Sequence, residues 1–170
     1  SVSEDLNTID ELKEDLKKQI SEKKEADAKS KMEDELLAQV CDNMEAEIPQ
    51  CMFDKRQDDM LKDYEYRIQS QGIDLDTYLQ YIGQDRDSFK ETFKVGAEKQ
   101  VKVSIALRAI IDAEKIEATE EDINAEAEKI AKQYGMEADQ VKKIVSEDQL
   151  AEDVKRNKAV DLIVDSAVIE

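Results

Sequence analysis

The chain opens on a helical stripe. Ile9, Leu12, Leu16 and Ile20 recur at three- and four-residue intervals, which puts them on one face of an amphipathic helix. Thr8 and Glu11 form a capping-box pair, residue types that satisfy the free backbone N–H groups of a helix start. Residues 21–31, SEKKEADAKSK, continue the stripe only with Ala26 and Ala28, and it returns at Met32, Leu36, Leu37, Val40 and Met44. No breaker precedes Pro49, so the pattern predicts one helix of about 38 residues and about 57 Å. A continuous coiled coil needs apolar a and d positions throughout. The register set by Ile9 and Leu12 instead meets Gln19, Lys23, Ser30 and Glu33. Apolar at both ends and polar between, residues 1–47 read as a strut joining two packing sites.

Pro49 restarts the chain at a first helical turn. Phe53, Met60, Tyr64 and Ile68 share one face, Met52 and Leu61 lie beside it, and Gly72 ends this helix. A short amphipathic piece, DLDTYLQYIG, begins near Asp74 and stops at Gly83. The next helix opens around Asp85 with Phe89 and Phe93, and Gly96 is expected to weaken or kink it. VKVSIALRAII, residues 101–111, is apolar nearly all round, which predicts a buried helix and the best core. Thr119 and Asp122 start another helix carrying Ile123, Ala127, Ile130 and Tyr134, with Gly135 as its stop. A short helix holds Val141, Ile144 and Val145. Ser146 and Gln149 then cap a last one running through Leu150 and Val154 into AVDLIVDSAVI. That apolar terminus must pack on something, and either apolar end of the first helix could receive it. No strand pattern, low-complexity tract or exact repeat interrupts this series, so the fold class is all-α.

Composition turns the series into an elongated shape. Charged residues make 40% of the 170 positions against ~25% in ordinary globular domains, and aromatic residues only 5%. Such a chain builds small local cores under much solvated surface. The formal charge of −18 opposes sequence-independent nucleic-acid binding and attraction to anionic membranes. It is unevenly spread: −8 over residues 1–47, −3 over 48–83, +1 over 84–115 and −8 over 116–170. No run of ~18 apolar residues exists to span a bilayer. The acidic N-terminus has no signal-peptide core and no initiator Met, which suggests a piece of a longer protein.

Catalytic material is scarce. Without His there is no imidazole base or ligand, and two cysteines cannot make a zinc site. Cys41 and Cys51 read as small buried apolar residues of a reducing cytoplasm, ahead of a disulfide or reactive thiol. Paired carboxylates such as Glu33–Glu35, Asp58–Asp59 and Glu120–Asp122 read as solvated helix faces. Asp74-x-Asp76 lacks the Gly and closing Glu of a calcium loop, and the four Gly are too isolated to cradle phosphate. No enzyme activity, metal or cofactor is expected. The candidate binding residues are instead soft apolar ones near helix ends: Met52, Phe53, Met60, Tyr64, Tyr78, Tyr81, Ile82, Phe89, Tyr134 and Met136. Met is flexible and polarisable, and Tyr pairs apolar area with a polar rim. Ordinary helix packing is the plainer reading for any single one of them. As a set they exceed what thin helical pairs can cover.

Four stretches in this order resemble the C-terminal domain of trigger factor, the bacterial ribosome-associated chaperone. They are AEIPQCMFDKRQDDMLKDYEYRIQSQG, DLDTYLQYIG, AEKQVKVSIALRAIIDAEKIEATEEDINAEAEKIAKQYG and RNKAVDLIVDSAV. The resemblance implies an all-helical cradle whose two arms hold unfolded or nascent polypeptide without ATP. The first arm would span 48–115 and the second 116–157, while 158–170 would pack back on the body formed with strut 1–47. Gln57 replaces the usual apolar residue of the first arm, and Val95-Gly96 the usual Pro-Glu. The family's basic ribosome-docking loop and its FKBP-like prolyl isomerase domain have no counterpart here, so ribosome contact would belong to other parts of a parent protein. A helical scaffold with one fixed partner, or a periplasmic chaperone with a similar cradle, are the alternatives. The net charge predicts clients with Lys or Arg beside aromatic residues.

Overall fold

The computed structural model describes residues 9–168 apart from the Glu11 side chain, so the expected Thr8–Glu11 cap lies outside the described residues. Eight helices follow in order among them: α1 (Ile9–Asp42), α2 (Gln50–Gln69), α3 (Leu75–Ile82), α4 (Arg86–Glu91), α5 (Lys94–Glu114), α6 (Glu120–Tyr134), α7 (Ala138–Ile144) and α8 (Glu147–Ser166). The accessible surface is 13086 Å², about one and a half times the ~8,500 Å² of a compact monomer of this size. That excess is the signature of an elongated helical cradle, with a long strut and two arms.

The strut is shorter than its pattern predicts. Helix α1 gives way to a turn at Asn43, and residues 44–49 are non-helical. Pro49 disfavours helical geometry in the residue before it, so the chain leaves the helix upstream of the proline. Residues 16–31 are exposed without exception, about 24 Å of helix with no tertiary cover. Local pairs along this stretch are Lys18–Glu22 at 3.9 Å, Lys29–Glu33 at 3.7 Å and Gln19 donating to Asp15 at 2.6 Å. Each such pair adds about 0.2–0.5 kcal/mol. Only one end of the strut packs within the described residues: Leu37 joins a core, whereas Ile9, Leu16 and Ile20 stay exposed.

Buried side chains fall into three small cores, as the composition predicts, and residues 101–111, expected to hold the best of them, give Leu107 and Ile111 to the third. Leu61, Ile68, Leu75, Leu79 and Phe89 make the first, between α2, α3 and α4. Ala127, Ala131, Val141 and Leu150 make the second, between α6, α7 and α8. Leu107, Ile111 and Ala159 make the third, with Leu37, Val160 and Ile163 packed against it. The apolar C-terminal stretch therefore settles on α5 and on the second end of α1.

Helix α5 also starts differently from expectation. The break falls at Thr92–Phe93, where the Thr92 hydroxyl donates to the Phe89 carbonyl at 2.6 Å, and Gly96 lies inside the first turn of α5. A Cβ at Gly96 would come within 3.2 Å of Met60 Cε, so this glycine lets α2 approach α5 closely.

The α6 and α8 caps form as their sequences predict. Thr119 accepts from the Asp122 N–H while Asp122 accepts from the Thr119 N–H, and Ser146 and Gln149 do the same. Asp122 also accepts from Lys158 Nζ at 2.6 Å, and Lys158 donates to the Glu117 carbonyl at 3.1 Å. The Lys158 ammonium, followed by Thr119, holds the Asp122 carboxyl far below the ordinary carboxylate range.

Two outcomes follow. Ala26→Pro should remove helical circular dichroism from the N-terminal part of α1, where proline costs about 3 kcal/mol, while leaving the midpoint of cooperative unfolding in place. Because the folded pKa of Asp122 is depressed, its contribution is complete above the unfolded carboxylate pKa of about 3.9 and fades as pH falls below it. Asp122→Asn should therefore lower Tm at pH 7, with the gap to the parent chain constant down to about pH 4 and narrowing progressively as pH falls further, measured by thermal melts from pH 7 downward.

Candidate functional site

Where α1, α2, α5 and α8 converge, the chain leaves an open cavity of about 710 Å³. Leu37, Met52, Val103 and Leu107 supply its apolar lining, and Lys55, Arg56, Lys99 and Arg156 its cations. A second hollow of about 410 Å³ adjoins it, sharing Met52, Ser104 and Arg156 and adding Ile105 and Ala109. Helix α5 thus meets neighbours with Val101, Ala106, Leu107 and Ile111, and turns Ser104, Ile105 and Ala109 toward open space. Its all-round apolar pattern, read from sequence as complete burial, is part core and part cavity wall.

The ten candidate residues divide by environment. Met52 lies on the cavity rim and is 42% exposed, and Met60 reaches toward Gly96, itself in the cavity wall. Phe53 is half-buried. Tyr81, 90% exposed, and Ile82 stand at the end of α3. Tyr134, 68% exposed, and Met136 flank Gly135, whose φ of 64° gives the left-handed turn between α6 and α7.

Phe89, Tyr64 and Tyr78 depart from the expectation of an open binding surface. Phe89 is 8% exposed, with Tyr64 at 5.1 Å, Phe93 edge-on at 5.3 Å and Tyr78 at 6.1 Å between ring centroids. A hydrogen bond to Tyr78 raises the Tyr64 phenol, whose ring also carries the Arg67 guanidinium at 5.1 Å. With few aliphatic residues available, aromatic edges fill this small core. Surface ion pairs brace it: Lys90 to Asp58 at 2.5 Å and Arg86 to Glu65 at 2.7 Å. Lys90 lowers the Asp58 carboxyl and is itself raised by it.

The cysteines also differ from expectation. Cys51 is exposed on the first turn of α2, and Cys41 is half-buried beside Val95 and Lys102; both are free thiols. Burial raises the Cys41 thiol, which leaves less of the nucleophilic thiolate. Among the described residues no group of three His, Cys, Asp or Glu side chains could hold a metal ion, and no helix is long and apolar enough to cross a membrane.

A family model described as bacterial trigger factor protein C-terminus matches residues 8–165. The chain belongs to this trigger factor C-terminal family. It is 43% identical over 165 residues to the trigger factors of Bacillus mycoides (strain KBAB4) and Bacillus thuringiensis (strain Al Hakam), matching 96% of this chain. The match covers 39% of the length of those relatives. A solved structure of trigger factor domains from Thermotoga maritima superposes with a TM-score of 0.59 over 96% of this chain and 98% of that one, at 22% identity. The shared fold therefore survives a sequence distance at which few side chains are held in common.

The division between core and surface is directly testable. Phe89→Ala should cost about 3–5 kcal/mol in urea unfolding, the usual penalty for emptying a buried aromatic site. Tyr81→Ala should fall within about 0.5 kcal/mol of the parent chain, as surface changes do.

Proposed function

We propose that this chain is the polypeptide-holding part of a trigger factor, binding unfolded or nascent segments without ATP and without catalysing prolyl isomerisation. The observation that carries this reading is the open, apolar-lined cavity between α1, α2, α5 and α8, with uncovered Tyr, Met and Ile side chains at the α3 end and the α6–α7 turn. An unfolded client presents apolar groups in no fixed order. Apolar contact is non-directional, so dispersed soft side chains bind such a partner better than one shaped pocket would.

On this reading the first arm spans residues 48–115, the second 116–157, and strut 1–47 with segment 158–170 forms the body. Met52, Phe53, Met60, Tyr81, Ile82, Tyr134 and Met136 touch client, while Tyr64, Tyr78 and Phe89 keep the first arm rigid. The module acts in the cytoplasm, and ribosome docking belongs to other parts of the parent protein.

Light scattering of a denatured client tests the reading. The chain at comparable concentration should slow aggregation, and replacing Tyr81, Ile82, Tyr134 and Met136 together by Ser should weaken that protection severalfold without changing the circular dichroism spectrum. Unimpeded aggregation in the presence of the parent chain would sink the proposal.

A further inference from the structure

Two residues that weaken packing meet where α2 lies along α5. Gln57 of α2 is the one buried polar side chain among the described residues, 7% exposed. Its amide makes no hydrogen bond to another described residue. No enclosed side-chain N or O there lacks a partner, so this amide relies on the thin strip of solvent it still reaches. Gly96 of α5, unlike Gly72, Gly83 and Gly135, has no positive φ that would call for glycine, and a glycine inside a helix weakens it. Two contacts register the seam: Met60 Cε against Gly96, and Arg56 Nε donating to Gln100 Oε1 at 2.6 Å. Gln57 lies between them on α2, opposite the stretch of α5 that carries buried Ala97 and Val101. The helix starts add little. Pro49 and Phe93, the N-caps of α2 and α5, make no side-chain cap, whereas Asp74, Asp85, Thr119 and Ser146 cap α3, α4, α6 and α8.

An amide without a protein partner loses nothing when the seam parts, because water then satisfies it fully; an apolar side chain would resist the same opening. Helices α2, α3 and α4 share the first core and join the rest at non-helical residues 44–49 and at the Thr92–Phe93 break, so they can swing as one unit. Helix α5 stays fixed through Leu107 and Ile111 in the third core. Arg56, Gly96, Gln100 and Val101 belong both to the seam and to the cavity wall, so parting the helices widens the cavity. Phe53 and Met60, about one turn to either side of Gln57 on the same face of α2, are half-buried while the seam is closed. Resting on the polypeptide-holding reading above, we propose that the α2–α5 seam opens at Gln57 and uncovers Phe53 and Met60 as a latent binding surface for apolar segments of unfolded polypeptide. Gln57 is a positioning residue: it acts by making α2 easy to move, not by touching client.

Gln57→Met keeps the length of the side chain and removes only the amide. In a full-length Cys41→Ser, Cys51→Ser background, the thiol introduced by Ala97→Cys is enclosed until the seam parts. Adding Gln57→Met should slow its alkylation by iodoacetamide about tenfold. The same comparison with Met60→Cys decides the matter if Ala97→Cys does not fold. Gln57→Met alone should raise Tm, yet slow aggregation of a denatured client severalfold less well than the parent chain, whereas a purely structural role would leave protection intact. Unchanged alkylation overturns the opening. Slowed alkylation with undiminished protection overturns the latent surface and leaves the holding function standing. Absence of any protection by the parent chain overturns the holding function itself.

Discussion

Helix α5 is apolar on more faces than its neighbours cover, and much of the architecture follows from that imbalance. Val101, Ala106, Leu107 and Ile111 find cover from surrounding helices. Ile105 and Ala109 border open space instead. In a compact domain that remaining apolar surface would draw another element over it, because burial stabilises by about 25 cal/mol per Å². This chain has no such element to give among the described residues: α1 lends only its C-terminal end, and α8 meets α5 around Ala159. The uncovered faces become the walls of a cavity.

Dividing the interior into three small cores has a mechanical consequence. Each arm carries its own: aromatic rings between α2, α3 and α4, and small Ala side chains with Leu150 between α6, α7 and α8. Either arm can hold its shape without filling the space beside it. Helix α5 meets α1 and α8 through the third core, Leu107 and Ile111 against Leu37, Ala159 and Ile163, and polar, solvent-facing contacts add to it. The Lys158–Asp122 bond ties the start of α6 to α8, and Lys99–Asp34 ties α5 to α1. Ties of this kind fix orientation while adding modest stability.

Element types, caps and most boundaries were legible in the sequence because they depend on local chemistry. Thr119 with Asp122 and Ser146 with Gln149 announce helix starts, Asp74 and Asp85 cap α3 and α4, and Gly83 and Gly135 end helices in the left-handed conformation. The bare strut was legible too, since a polar stretch with good helix formers and ion pairs four residues apart needs no partner. The candidate site was legible only in part. Tyr81, Tyr134 and Met52 are open as their positions near helix ends suggested, whereas Phe89 is enclosed by rings from α2 and α3 that sit 25 and 11 residues upstream.

Periodicity reports that a face is apolar, and it is silent on what, if anything, covers that face. The sequence by itself therefore determined an all-helical chain, its caps and most of its helix ends, its charge distribution and its poverty in catalytic groups. Only the tertiary structure decided that residues 101–111 are half core and half cavity wall, and that Phe89 is core. Leu37, Met52, Leu107 and Arg156 come from four helices far apart in the chain. The cavity they line exists only once α1, α2, α5 and α8 converge.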